Sequence, residues 1–218
     1  MSYVKVLENL KKKRIAPIYF IYGSENYFIE KVRTEIIRQV ADEHRENLTM
    51  YNLEEIPIQE VIQDAETYPF FGERNLIIAT NPVFLKSKPD KLTFEHDVET
   101  LANYIENPVD YSVVVIIAAY EKIDERKKIS KTLKKYAEVA NCDPIKEKDI
   151  QQWIHNMVEQ HDITLDQSVY SIIENELSTN LQILEVELEK LALYAGQGGH
   201  ITKEIAETLI SPTPNSSA

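Results

Sequence analysis

The chain has 218 residues, of which 43% are hydrophobic and 28% are charged, and its formal net charge is −12. This composition is typical of a globular protein with one large domain or two modest ones. An acidic protein is not expected to coat duplex DNA by itself, because affinity for the phosphate backbone comes from cations. We therefore expect a partner to make most of any contact with DNA.

Further features bear on where the protein works. No segment approaches the length of apolar sequence that a membrane span needs, and residues 1–13 lack the apolar core of a signal peptide. The single cysteine, Cys142, excludes an internal disulfide and a cysteine metal cluster. We expect a cytoplasmic protein that has no contact with a membrane and no metal.

The first part of the chain alternates between amphipathic helices and short apolar strands. The spacing predicts helices at residues 3–13, 26–43, 58–67, 98–105 and 124–136, and strands at residues 18–22, 48–53, 75–80, 113–118 and 137–141. Residues 81–93, rich in proline and lysine, are predicted to form a loop. Strands that alternate with helices indicate an α/β fold with a five-stranded parallel sheet covered by helices on both faces.

The pattern changes after Asp143 and Pro144, beyond which no strand candidate remains. Apolar residues at helical spacing predict helices around residues 153–158, 169–177, 181–195 and 201–210. We therefore predict an α/β domain at residues 1–143 and a small all-α domain at residues 144–211. The last residues, 212–218, are rich in proline and serine and are predicted to be disordered.

Gly23, Ser24 and Glu25 follow the first strand, which is the position of a phosphate-binding loop. That loop needs the pattern G-x-x-x-x-G-K-[ST], and the chain has neither the second glycine nor the lysine with its hydroxyl neighbour. Glu25 and Glu30 place negative charge where a triphosphate would lie, and the third strand ends without a magnesium-binding acid. We predict a degenerate, non-functional phosphate loop, with Ser24 as the cap of the following helix.

No other catalytic pattern stands out. The five histidines are scattered without metal-ligand spacing, and there is no G-x-S-x-G motif. Cys142 has no base beside it in sequence and is predicted to be a small buried hydrophobe. We predict no catalytic residue, no metal site and no cofactor.

Pro69, Phe70, Phe71 and Gly72 form an aromatic corner between the third helix and the third strand. Pro69 ends the helix and restricts Tyr68 to extended geometry, and Gly72 lets the chain turn into the strand. Adjacent phenylalanines at such a position either fill the top of the core or stand out as an anchor for another protein. The residues alone leave both interpretations open.

A basic helix at residues 122–135 is the strongest positive patch on this acidic chain. It carries Arg126, Lys127, Lys128 and Lys131, followed by Lys134 and Lys135. Such a patch is either a solvated helix face or a contact with an acidic neighbouring subunit or a DNA backbone.

Four stretches together resemble one known family. They are residues 19–25 with 28–29, the aromatic corner at 69–74, the basic segment 124–128 and the leucine-rich segment 184–194. In this order they are similar to the delta subunit of the bacterial DNA polymerase III clamp loader, over about residues 15–210. The Gram-positive members of the family are the most similar.

The resemblance implies an AAA+-like fold, in which a degenerate nucleotide-binding domain that does not use ATP is followed by a helical lid domain. It also implies binding to the beta sliding clamp, whose ring the delta subunit holds open for loading onto primed DNA. The hydrophobic pair that binds the clamp corresponds to Phe70 and Phe71, with Pro69 and Gly72 shaping the corner. Expected partners are the ATPase subunits and the delta-prime subunit of the loader, and DNA mainly through the complex. No intrinsic catalysis is expected, although the complex belongs to a nucleotidyltransferase holoenzyme.

The sequence departs from the family in two respects. We expect this chain to lack the C-terminal collar domain that joins the loader subunits, as a fragment or an atypical member would. Asn180 stands where an acid is common in the family. Three alternatives remain: a nucleic-acid-binding adaptor that uses the basic helix, an active P-loop ATPase, and a delta-prime subunit. The ATPase lacks its lysine and acid, and a delta-prime subunit usually has cysteine zinc ligands that one cysteine does not supply.

Overall fold

The computed structural model describes residues 3–41, 45–70, 74–177 and 180–210. The chain divides into two units, Met1–Pro144 and Ile145–Ala218. The predicted disordered tail at residues 212–218 lies outside the described residues.

The first unit is built on a parallel sheet. Its strands are β1 Ile18–Tyr22, β2 Leu48–Asn52, β3 Asn75–Thr80, β4 Ser112–Ala118 and β5 Glu138–Asn141. They lie in the order β2-β3-β4-β1-β5, and every pair is parallel. All of β4 is buried, as its unbroken apolar run predicts for a strand covered on both faces. The predicted five-stranded parallel sheet is confirmed.

Helices cover both faces of this sheet. They are α1 Tyr3–Lys11, α2 Asn26–Ala41, α3 Ile58–Ala65, α4 Val98–Glu106 and α5 Lys128–Tyr136. Helices α3, α4 and α5 form one core with Ile18 and Phe20 of β1. The alternate residues Tyr19 and Ile21 are also buried and point to the opposite face, and α1 and α2 pack against each other and contact the strands of the same sheet.

Two segments of this unit differ from the prediction. The predicted loop at 81–93 begins with a 3-10 turn, Val83–Leu85, whose side chains are all buried. Helix α5 begins at Lys128 rather than at 124. The reason is local: the Asp124 carboxylate accepts a hydrogen bond from Arg126 N at 3.1 Å, and the Asp124 carbonyl accepts one from Ser130 Oγ at 2.7 Å. These bonds favour a turn over a helix.

The second unit contains four helices within the part of the chain that the structure describes. They are α6 Glu147–Gln160, α7 Gln167–Leu177, α8 Leu181–Ala195 and α9 Lys203–Leu209. Two short parallel strands, β6 Thr164–Leu165 and β7 His200–Ile201, pair beside them. Leu165 and Ile201 are buried in the helical core. A strand of two residues has no periodicity to detect, so the sequence pattern did not predict this pair.

Asn180 is the N-cap of α8. Its side-chain oxygen accepts hydrogen bonds from Gln182 N and Ile183 N, both at 3.1 Å. An aspartate would make the same bonds, so the departure from the family pattern at this position preserves the cap.

Candidate functional site

The aromatic corner displays its side chains to solvent. Phe70 is 92% exposed and Tyr68 is 71% exposed, whereas Pro69 between them is buried. Phe70 therefore does not fill the core. Phe71 and Gly72, the other two predicted site residues of the corner, lie outside the described residues.

The backbone that leads into the corner is held by side chains from the neighbouring strands. Three consecutive carbonyls at the end of α3 each accept one hydrogen bond: Ala65 O from Ser112 Oγ at 2.6 Å, Glu66 O from Tyr111 OH at 2.9 Å, and Thr67 O from Asn75 Nδ2 at 2.7 Å. The last carbonyls of a helix have no partner within the helix. Here Asn75 and Ser112, at the starts of β3 and β4, and Tyr111, just before β4, supply one for each.

A second aromatic pair supports the corner. The rings of Tyr68 and Tyr111 lie 5.0 Å apart between centroids, at an interplanar angle of 53°. Aromatic rings attract each other at this separation and tilt. Tyr68 is thus held on one side while most of its surface stays in water.

The turn after β1 has a different character, because it is packed against the end of β5. Gly23 is buried with φ of 133°, and a Cβ there would collide with the carbonyl of Cys142 and lie 2.7 Å from Asp143 N. Cys142 N donates to Tyr22 O at 2.7 Å, and Glu25 N donates to Cys142 O at 2.9 Å. Close backbone approach thus explains why a glycine stands here.

Glu25 lies at the start of α2, in the segment that the sequence predicts to be a degenerate phosphate loop. Its carboxylate accepts a hydrogen bond from Tyr27 N at 3.1 Å, at the start of α2, and its carbonyl accepts from Phe28 N and Ile29 N, both at 3.2 Å. The predicted cap, Ser24, is therefore wrong: Glu25 precedes the helix and caps it. Helix-terminal N–H groups attract anions, and here the anion is the chain's own carboxylate.

The basic residues around α5 differ in how far they are available. Lys127 Nζ donates to Phe84 O at 2.8 Å and to Lys86 O at 2.6 Å, so its ammonium is used within the protein. Arg126 is paired with Asp124 at 2.9 Å, but its side chain is 87% exposed, and Lys128 is paired with Glu99 at 3.1 Å while 73% exposed. Lys131 is exposed.

The exposed cations line a shallow groove of about 310 Å³, which we call the basic groove. Its lining comprises Glu106, Arg126, Lys128, Lys131, Thr132, Lys135 and Tyr136. Arg126 also has a local role, because its hydrogen bonds lower the pKa of Asp124 to about 2. The groove thus offers an anionic ligand several cations, most of which already have partners.

Cys142 is buried, and burial raises the pKa of its thiol to about 12. The predicted role as a small buried hydrophobe agrees with this environment. Among the described residues, no group of three or more histidine, cysteine, aspartate or glutamate side chains could hold a metal ion. Within the same residues, no helix is long and apolar enough to cross a membrane.

Sequence reasoning missed the residues that support the corner. The bonded pairs are separated by 8, 45 and 47 positions, so no local pattern links them. The one available indication was the presence of polar residues at the starts of two buried strands, where a carbonyl partner is needed.

The fold and the site define a class: an AAA+-like α/β domain without the sequence motif of a phosphate-binding loop, followed by a helical unit. The family described as "DNA polymerase III, delta subunit" matches residues 19–143. The chain belongs to this family.

One sequence comparison and one structure comparison with Bacillus subtilis delta proteins agree with this family. DNA polymerase III subunit delta of strain 168 is 34% identical over 208 residues, which is 94% of this chain and 60% of the relative. The solved structure of the Bacillus subtilis DNA clamp loader delta protein is 33% identical, with a TM-score of 0.88 over 97% of this chain and 63% of that one. The chain thus spans less than two thirds of the length of the relatives it matches.

Proposed function

We propose that this chain binds the beta sliding clamp through its aromatic corner and favours the open form of the ring, as a clamp-loader delta subunit. The observation that carries the proposal is Phe70, an aromatic side chain with 92% of its surface in water. The carbonyls at residues 65–67, which precede it, accept three hydrogen bonds from other segments. Single exposed apolar residues are common on protein surfaces. Two exposed aromatics, Tyr68 and Phe70, on either side of a buried proline fit an anchor that enters an apolar pocket.

The mechanism requires no bond to be broken. Phe70 and Phe71 enter a pocket on the clamp, where a fully desolvated aromatic anchor is worth about 2–4 kcal/mol. A ligand shifts a conformational equilibrium only by its difference in affinity for the two states. Binding that is tighter to the opened ring therefore increases the open population, and Pro69 and Gly72 are the other clamp-binding residues in this proposal.

In this proposal the energy comes from the other subunits of the clamp loader. The Gly23, Ser24 and Glu25 turn has its own carboxylate at the helix start, which supports a subunit that binds no ATP. Neighbouring ATPase subunits then decide when the corner meets the clamp, and the delta-prime subunit completes the complex. Such a protein works in the cytoplasm and meets DNA mainly through the assembled complex.

The test is a titration of purified beta sliding clamp into the wild-type chain and into Phe70→Ala and Phe71→Ala variants. We expect each variant to keep its melting temperature and to bind at least about tenfold more weakly. Leu193→Ala is the matched control, because Leu193 is 86% exposed on α8 and lies outside the corner. Equal affinities for Phe70→Ala and for the wild type would contradict the proposal.

The nucleic-acid-binding adaptor is a second candidate, and the basic groove is the observation that favours it. Exposed ion pairs such as Lys128 with Glu99 are weak, so phosphates could replace the carboxylates. This function predicts DNA binding by the isolated chain that falls steeply with salt and is lost when Arg126, Lys128 and Lys131 are neutralised. Absence of binding at low salt would exclude it.

A further inference from the structure

We infer that a cavity in the first unit binds a small planar aromatic carboxylate, a free molecule of one or two fused rings that carries a single negative charge. The cavity has a volume of about 520 Å³, and its lining comes from residues 83–98, which follow β3, and from residues 127–129, which follow β4. Small-molecule sites typically have volumes of this size, and open parallel sheets bind ligands beyond the carboxyl ends of their strands. The inference is independent of the proposed clamp binding.

One wall of the cavity is aromatic and uncharged. Phe94, His96 and Val98 line it, and the residues between them are exposed, which is the alternation of an extended chain. The His96 ring makes T-shaped contacts with Phe94 and with Phe84, at centroid distances of 5.3 Å and 5.1 Å. Burial lowers the pKa of His96, so the wall offers three neutral rings to an aromatic ligand at neutral pH.

Hydrogen bonds to the start of α3 hold this wall in place. Ile58 N donates to His96 Nδ1 at 3.0 Å. The side-chain amide of Gln59 donates to Glu95 O at 3.1 Å and accepts from Asp97 N at 2.9 Å. Because the wall is already ordered, less conformational entropy is lost when a ligand binds.

Lys127 brings a positive charge to the lining of the cavity. Its ammonium donates to Phe84 O at 2.8 Å and to Lys86 O at 2.6 Å, and both acceptors are neutral carbonyls. The acidic neighbour Asp124 is already paired with Arg126 at 2.9 Å. An ammonium has three N–H donors. Within the described residues, the third N–H of Lys127 has no hydrogen-bond partner and is available to a carboxylate.

The other charged side chains of the lining restrict the charge of the ligand. They are Asp90, Glu95 and Lys128. Asp90 is paired with Lys86 at 2.7 Å and Lys128 with Glu99 at 3.1 Å. An acid close to the available cation repels a multiply charged ligand more strongly than a singly charged one. The lining therefore fits one carboxylate on an aromatic body rather than a polyphosphate.

The experiment titrates 1-naphthoate and its neutral analogue 1-naphthamide into the whole chain and follows the backbone amide signals by NMR. We expect saturable shifts at residues 83–98, and about tenfold weaker binding of 1-naphthamide, because hydrogen bonds between charged groups are the stronger ones. Phe94→Ala should bind 1-naphthoate at least about fivefold more weakly. Phe70→Ala is the matched control and should keep the wild-type affinity, because Phe70 is not part of the lining.

A variant of Lys127 separates recognition of charge from support of the turn at residues 84–86. Lys127→Gln weakens the turn and so lowers the affinity for both ligands. If the ammonium binds the carboxylate, the preference for 1-naphthoate should also fall from about tenfold to less than about twofold. A merely structural lysine would leave this ratio unchanged, which would contradict the inference.

The wild-type chain alone can also overturn the inference. It fails if 1-naphthoate does not bind saturably at millimolar concentration, or if 1-naphthoate and 1-naphthamide bind equally well. Either result would leave the proposed clamp binding intact, because that proposal depends on the loss of clamp affinity in Phe70→Ala.

Discussion

The two edges of the parallel sheet have opposite characters. At the carboxyl edge, the turn that follows β1 packs on Cys142, and Glu25 caps α2 with its own carboxylate. At the amino edge, the corner before β3 holds Phe70 in water with 92% of its surface exposed. The carboxyl edge is where ligands bind in open parallel sheets. In this chain the turn after β1 is closed by internal contacts, and the opposite edge carries the exposed Phe70.

Under the proposed function, the same AAA+-like fold serves protein binding instead of nucleotide binding. The sheet and its helices are retained, because they form the core that both edges share. The Glu25 carboxylate contact belongs to one turn, and the exposed Phe70 belongs to another. Function thus depends on the connections, which the rigid sheet positions.

The largest expected effect is a loss of stability at the turn after β1. Gly23→Ala should destabilise the chain by about 2–4 kcal/mol, because a Cβ would meet the Cys142 backbone in a conformation with positive φ. Denaturant unfolding measures the loss. At a temperature where the variant is folded, its clamp affinity should match the wild type, and a large loss of affinity would show that the two edges are not independent.

The reactivity of the Cys142 thiol tests whether the same turn is closed to solvent. Burial raises its pKa from 9.0 to about 12, so native protein at pH 8 should react with a thiol reagent at least about a hundredfold more slowly than unfolded protein. The folded pKa lies above the unfolded one, so this contribution to stability is complete below pH 9 and is lost as the pH rises towards 12. Equal reaction rates of the thiol in native and denatured protein would show that Cys142 is accessible to the reagent in the native protein.

Glu25→Gln makes a smaller change at the start of α2. It keeps an oxygen for Tyr27 N but removes the charge that favours a helix N-terminus, so we expect a loss of about 0.3–1 kcal/mol in unfolding free energy. Magnesium ATP should not raise the melting temperature of the wild type or of this variant. A rise in either would mean that the phosphate loop is functional.

The smallest effect is expected from the basic groove. Lys131→Gln and Lys128→Gln should leave clamp affinity unchanged within about twofold, because neither residue belongs to the corner and exposed charges contribute little. The same titration as for Phe70→Ala measures this. A tenfold loss of clamp affinity would indicate that the clamp docks on α5 rather than on the aromatic corner.

Much of the fold could be predicted from sequence because the central strands β1, β3 and β4 carry continuous apolar runs. The apolar run at β4 and the aromatic corner at residues 69–72 each have a local sequence pattern. The absence of the phosphate-loop motif can also be recognised directly in the sequence. The rest depends on contacts between distant residues: Ser112 and Tyr111 with the end of α3, Lys127 with Phe84 O, and the pairing of β6 with β7. Glu25 replaced Ser24 as the cap because a glutamate can reach the second N–H of the helix, which preferences for short side chains do not anticipate.

The most direct test of the account is a photo-crosslinking experiment on the complex with the beta sliding clamp. A photoreactive phenylalanine analogue at position 70 should form a covalent adduct with the clamp. The same analogue at position 50, where Met50 is 53% exposed on β2, should form none. An adduct from position 50 alone, or none from position 70 while the complex is intact, would contradict docking through the aromatic corner.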